Sequence, residues 1–141
     1  MKKKFLKKFV AVVSAVAIMG SSLLSQEAYA ASQTKYFKGA TITTSLSSTS
    51  SGGAKANTVY SKFTGTKAVL DISISYKEAP AGNINNQISM NGSNRKVLDT
   101  SAGSSSLTVN PRSGMVIVSK SSVHKITFID SIDSNSVTYI N

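Results

Sequence analysis

Lys67 to Lys77 is the clearest alternating stretch in the chain: Leu70, Ile72, Ile74 and Tyr76 fall on one parity, Asp71, Ser73 and Ser75 on the other. Alternation of this length predicts a half-buried β-strand. A slip of one residue would turn all four apolar side chains into water, so the register is firmly specified and the strand is expected to be central. Weaker versions of the pattern recur on either side. Tyr36 to Leu46 groups Tyr36, Ala40, Ile42 and Leu46 against Thr41, Thr43 and Ser45, with Lys38 an exception on the apolar side. Thr58 to Thr64 sets Val59 and Phe63 opposite Tyr60 and Lys62. Ile84 to Met90 and Arg95 to Thr100 bracket Asn91-Gly92-Ser93-Asn94, which reads as the loop of a hairpin. A two-residue Asn-Gly turn would set Ile88 against Arg95, whereas a four-residue loop sets it against Val97, and the second pairing is preferred.

Leu107 and Val109 mark a further short strand, ending at Asn110-Pro111-Arg112-Ser113-Gly114. There Pro111 presets φ and Gly114 permits the return. Met115 to Val118 follows, apolar on both faces, a run expected to be covered on both sides by protein or by a partner. Val123 to Ile129 and Val137 to Ile140 close the chain. Two segments are expected to be loops: Glu78 to Asn83, which holds Pro80 and Gly82, and the serine- and glycine-rich stretch 47–56. The latter has too few apolar groups to offset the entropy of ordering it and is expected to be flexible. Nowhere do apolar residues recur at i, i+3, i+4, i+7, so no helix is predicted. Eight or nine short strands predict an all-β domain. The expected architecture is a two-sheet antiparallel β-sandwich of immunoglobulin-like size, with a small barrel as the second choice.

The first thirty residues have a different pattern. Lys2, Lys3, Lys4, Lys7 and Lys8 precede an apolar run from Phe9 to Met19, and the segment ends in Ala28-Tyr29-Ala30. This is the layout of an export signal cut after Ala30, and the run is shorter than the roughly 20 residues that span a bilayer. The expectation is a secreted, extracellular protein, at most loosely associated with a cell wall, whose mature part is a single domain over 31–141.

Cleavage alters the charge. Five of the sixteen basic residues and one of the six acidic ones fall before Ala31, leaving eleven and five, a net charge of +6 instead of +10. The chain contains no cysteine, so an exported fold must rest on packing and sheet hydrogen bonds alone.

Candidate chemistry is sparse. His124, the one histidine, shares parity with Ile126 and Phe128, which suits a packed or strand-edge residue better than a catalyst. No G-x-S-x-G elbow accompanies it. Asp71, Glu78, Asp99, Asp130 and Asp133 are each explained by a solvated or turn position, so no carboxylate pair suits glycoside hydrolysis. Asp130, Asp133 and Asn135 put three oxygen-bearing side chains on one turn, which raises calcium, but the glycine of an EF-hand loop is missing. No cofactor is expected, and without cysteine zinc and haem are excluded.

What remains is positive charge scattered singly along the strands and loops. A surface of this kind attracts an anionic polymer or membrane: teichoic acid, anionic lipid or acidic polysaccharide. Specific nucleic-acid binding is not expected, since interleaved stacking aromatics are missing. The ligand-binding candidates are Lys62, Lys77, Arg95, Lys96 and Arg112, with Tyr60 and Tyr139 as exposed aromatic platforms and Tyr36 and Tyr76 assigned to the core. The leading expectation is therefore a non-enzymatic secreted protein that binds an anionic envelope or matrix component. A secreted antibacterial or membrane-active protein is the alternative, motivated by the alternating strand at 67–77. Self-assembly into a matrix, motivated by Met115 to Val118, is the third.

Overall fold

The computed structural model describes residues 31–130 and 134–141. The expected export signal and Asp133 of the candidate calcium turn lie outside them. Eight strands run β1 (Ala31–Phe37), β2 (Ala40–Ser48), β3 (Ala54–Ser61), β4 (Lys67–Pro80), β5 (Ile88–Leu98), β6 (Gly103–Val109), β7 (Met115–Ile129) and β8 (Ser134–Ile140). They form two antiparallel four-stranded sheets, sheet A in the order β1-β2-β3-β6 and sheet B in the order β5-β4-β7-β8. The expected sandwich is thus the observed fold, and the sheets do not close into a barrel.

β4 is central, as its alternation requires. It pairs with β5 on one side and β7 on the other, and Leu70, Ile72, Ile74 and Tyr76 all point into the core. The core has two apolar parts. One gathers Ala40, Ile42, Tyr60, Phe63, Leu70, Ile126, Phe128 and Tyr139, with Phe63 and Phe128 stacked at 4.2 Å. The other gathers Leu46, Ala54, Ala56, Ile72, Ile74 and Tyr76.

Six expectations about elements and faces are corrected. The span from Tyr36 to Leu46 is not one strand but a hairpin, turned by Lys38 (φ 50°) and Gly39 (φ 78°). Positive φ at both central residues matches the right-handed twist of the flanking strands, which is why this two-residue turn closes a hairpin. The turn puts Tyr36 on the outside, 81% exposed, instead of in the core. Segment 47–56 is not a flexible loop: only 49–53 turns, held by the Thr49 hydroxyl accepting from the Gly53 amide at 2.9 Å, and Ala54 and Ala56 are buried.

Asn91-Gly92-Ser93-Asn94 is no hairpin loop but the middle of the continuous strand β5. A Cβ on Gly92 would lie 2.8 Å from Cγ1 of Val109, so glycine is needed here for the close approach of β6. Glu78 to Pro80 likewise continues β4 beyond an irregularity at Lys77/Glu78, where the β7 partner steps from Ser119 to Ile117 and Val118 is left as the extra residue of a bulge. Met115 to Val118 is only half-buried, not covered on both faces.

At Lys62 a positive φ of 61° breaks the alternation after β3, so Tyr60 and Phe63, expected on opposite faces, both enter the core. The side chains of β5 stitch one margin of the sandwich to β6: Lys96 donates to Ser104 O at 3.0 Å, and Asn94 to Ser105 Oγ at 3.2 Å and Ser106 O at 2.9 Å.

Candidate functional site

The chemistry-bearing residues fall into a buried polar layer and two outer sheet faces. The buried layer surrounds His124, which is fully enclosed on β7. Its Nδ1 lies 2.8 Å from Thr58 Oγ1, and its Nε2 lies 2.8 Å from Ser122 Oγ and 3.2 Å from Asn141 Nδ2. An amide NH2 only donates, so Nε2 is the acceptor and the proton resides on Nδ1, donated to Thr58. Asn141 also donates to Thr44 Oγ1 at 2.9 Å and accepts from Gln33 Nε2 at 2.8 Å. The chain of bonds joins β1, β2, β3 and β7 across the sandwich. Burial lowers the His124 pKa to about 4, so the ring is neutral around pH 7. A serine and a histidine at hydrogen-bond distance resemble half of a nucleophilic triad, but Ser122 is as buried as His124 and no carboxylate orients the ring.

The acidic residues of the strands are largely neutralised. Glu78 has no exposed surface; its carboxylate accepts from the Arg112 guanidinium and, at 3.1 Å, from the Arg112 backbone amide. The bulge beside Glu78 and the turn at 110–114 bring the two together. Asp71 lies 3.7 Å from Arg95 on the outer face of sheet B.

That face mixes serine and asparagine with Lys77, Arg95 and Lys125 and with the exposed Val97 and Val123. Cross-strand rows run Ser89-Lys77-Ser119, Asn91-Ser75-Ser121, Ser93-Ser73-Val123 and Arg95-Asp71-Lys125 across β5, β4 and β7. Two shallow troughs lie along it, of about 540 Å³ around Ser75, Lys77 and Ser121 and about 330 Å³ around Asp71, Arg95 and Lys125. The outer face of sheet A carries Tyr36-Thr41-Ser61, Thr34-Thr43-Val59-Ser104, Ser32-Ser45-Asn57-Ser106 and Ser47-Lys55-Thr108. No carboxylate occurs in those rows.

Of the residues expected to bind ligand, Lys77 and Arg95 share the outer face of sheet B, Lys62 sits at the end of the Tyr36 row of sheet A, and Lys96 is engaged with Ser104. Arg112 serves Glu78 instead of standing free. Tyr60 and Tyr139 are corrected outright: both are buried, Tyr60 donating to Thr100 O at 2.8 Å and Tyr139 lying beneath Lys35. The exposed platform is Tyr36. Lys38 carried the signal that could have found it, because a lysine on the apolar parity followed by glycine marks a turn as readily as a faulty strand. Among the described residues no group of His, Asp and Glu is arranged to hold a metal.

No family model and no curated protein matches the chain. Among solved structures, E. coli curli protein CsgC is similar at 9% sequence identity and a TM-score of 0.24, over 80% of this chain and 98% of that one. Likeness so slight does not bear on function.

Proposed function

We propose that the protein is an extracellular, non-enzymatic binding module for an anionic polymer of a cell envelope or matrix. The observation that carries this reading is the fate of the carboxylates. Glu78 is buried against Arg112 and Asp71 lies between Arg95 and Lys125, so Lys55 and Lys77 stand in hydroxyl-rich rows that hold no carboxylate, and Lys38 and Lys62 follow Tyr36 and Ser61 at the end of another such row. Such a field attracts polyanions, and its range shrinks from about 10 Å at 0.1 M salt to about 3 Å at 1 M. The chain from Ala31 onward, which contains all eight strands, is expected to co-sediment with cell walls bearing teichoic acid at low salt and to be released as salt rises. Retention indifferent to salt, or none at low salt, would remove the basis of the reading.

Membrane insertion through the strand at 67–77 would require β4 to leave a sheet in which both its edges are paired. Anionic liposomes are therefore expected to retain an enclosed dye. Self-assembly has one observation in its favour: β8 pairs with β7 only from Val123 onward, which leaves Met115 to Ser121 as a sheet edge among the described residues. Light scattering over hours at high protein concentration tests it, and a constant signal excludes it.

A further inference from the structure

We infer that the outer face of sheet A is the polymer-binding face and that its ligand is a linear acidic polysaccharide, with a sugar ring stacked on Tyr36 and the sugar's anionic groups at Lys38 and Lys62. The inference rests on the anionic-polymer reading and narrows it to carbohydrate. Three observations converge on this end of the sheet.

The first is Tyr36 itself. The other described tyrosines, Tyr60, Tyr76 and Tyr139, are buried, as are Phe63 and Phe128, while Phe37 packs against the core. Tyr36 is 81% exposed on a sheet face. It contributes little to folding, and its flat apolar ring with a hydroxyl at the tip suits the C–H face and hydroxyl rim of a pyranose.

The second is the row behind it. Tyr36, Thr41 and Ser61 lie side by side on β1, β2 and β3, so the ends of the row are roughly 10 Å apart at the usual strand spacing. The next rows present Thr34, Thr43, Val59 and Ser104, then Ser32, Ser45, Asn57 and Ser106: short side chains, hydroxyl or amide donors and acceptors except for the exposed Val59, whose apolar surface can lie against the C–H face of a sugar. Thr34 and Thr43 already bond to each other at 2.9 Å, which holds the hydroxyls in line.

The third is the pair of lysines flanking that row. Lys38 turns the hairpin next to Tyr36, and Lys62 directly follows Ser61. They are the non-glycine residues with positive φ among those described, at 50° and 61°. Glycine or asparagine would adopt that conformation with less strain, so lysine at both positions points to a use for the charge. The outer face of sheet B lacks this combination: it has no aromatic ring, and Asp71 stands between Arg95 and Lys125. A ligand recognised by charge alone, such as polyphosphate, would have no use for Tyr36, whereas a charged glycan would.

The test uses the chain from Ala31 onward with alginate, a polyuronate, and polyphosphate as a control that offers charge without sugar rings, read by affinity electrophoresis. Tyr36→Ala is expected to weaken alginate binding about tenfold while leaving polyphosphate binding unchanged, the size of effect usual for truncating an aromatic anchor. The double variant Lys38→Ala/Lys62→Ala is expected to weaken alginate binding and flatten its salt dependence. Thermal unfolding of each variant shows whether the sandwich is intact. If Tyr36→Ala binds alginate like the parent, or if Lys77→Ala/Lys125→Ala on sheet B abolishes binding instead, the assignment to sheet A is overturned while the anionic-polymer reading stands. If the parent binds neither polymer nor cell walls, both fall.

Discussion

Acidification should weaken this protein before its ordinary carboxylates titrate, and His124 is the reason. In the unfolded chain a histidine takes up a proton near pH 6.5; in the sandwich, burial holds His124 to about pH 4. Between those values the unfolded state binds more protons, so stability is full above pH 6.5 and falls as the pH drops toward 4. A difference of about 2.5 pH units at about 1.4 kcal/mol each bounds the loss at roughly 3–4 kcal/mol, a large share of the 5–15 kcal/mol typical of a domain. The hydrogen bonds act in the same direction, because a proton on Nε2 would face the Asn141 amide NH2, which has only hydrogens to offer. The assay is urea unfolding between pH 7.5 and 4 for the parent and for His124→Gln, which cannot titrate. The variant is expected to be weaker at pH 7.5 but to depend less on pH. Carboxylate titration overlaps the acid end and is shared, so the difference between the two curves isolates the imidazole. Parallel curves for the two proteins would refute the reasoning.

Arg112→Ala should lower stability by about 1–3 kcal/mol, below the range for a fully buried ion pair, because the Arg112 side chain is half exposed and Glu78 keeps the bond from the backbone amide of residue 112; thermal unfolding reads this. Gly92→Ala is expected to cost about 1–3 kcal/mol by driving a methyl group into Val109, and Gly92→Ala combined with Val109→Ala should recover part of it in a double-mutant cycle. No recovery would mean that the backbone, not the contact, demands glycine. Lys38→Asn should raise stability by about 0.5–1 kcal/mol, since asparagine tolerates positive φ better than lysine, with thermal unfolding again the measure.

Legibility followed how local the physics was. The strand at 67–77 could be placed centrally because four apolar residues on one parity admit a single burial. The hairpin at Lys38-Gly39 was half legible: glycine announced positive φ, but lysine beside it is rare enough in that conformation to pass for an out-of-place charge in one long strand. The same error placed Tyr36 inside and removed it from the candidate site, while Tyr60 and Tyr139 took its place. Lys62 misled in the same way, since a positive φ at an ordinary residue breaks the alternation there and brings Phe63 to the face of Tyr60.

The amino-acid sequence alone determined the class of the fold and its electrostatic character, since period-two alternation, absence of helical periodicity, absence of cysteine and an excess of lysine are properties of residues in order. It could not determine what Gly92 is for, or whether Glu78 and His124 are solvated or enclosed. Glycine permits a turn and also makes room for a neighbour, and which applies depends on whether Val109 of β6 occupies the space a side chain would need. A carboxylate remote in sequence from its arginine is likewise neutralised only when the strands meet. Tertiary structure therefore decided which charges are spent inside the molecule, and so which faces of a basic sandwich remain to meet another molecule.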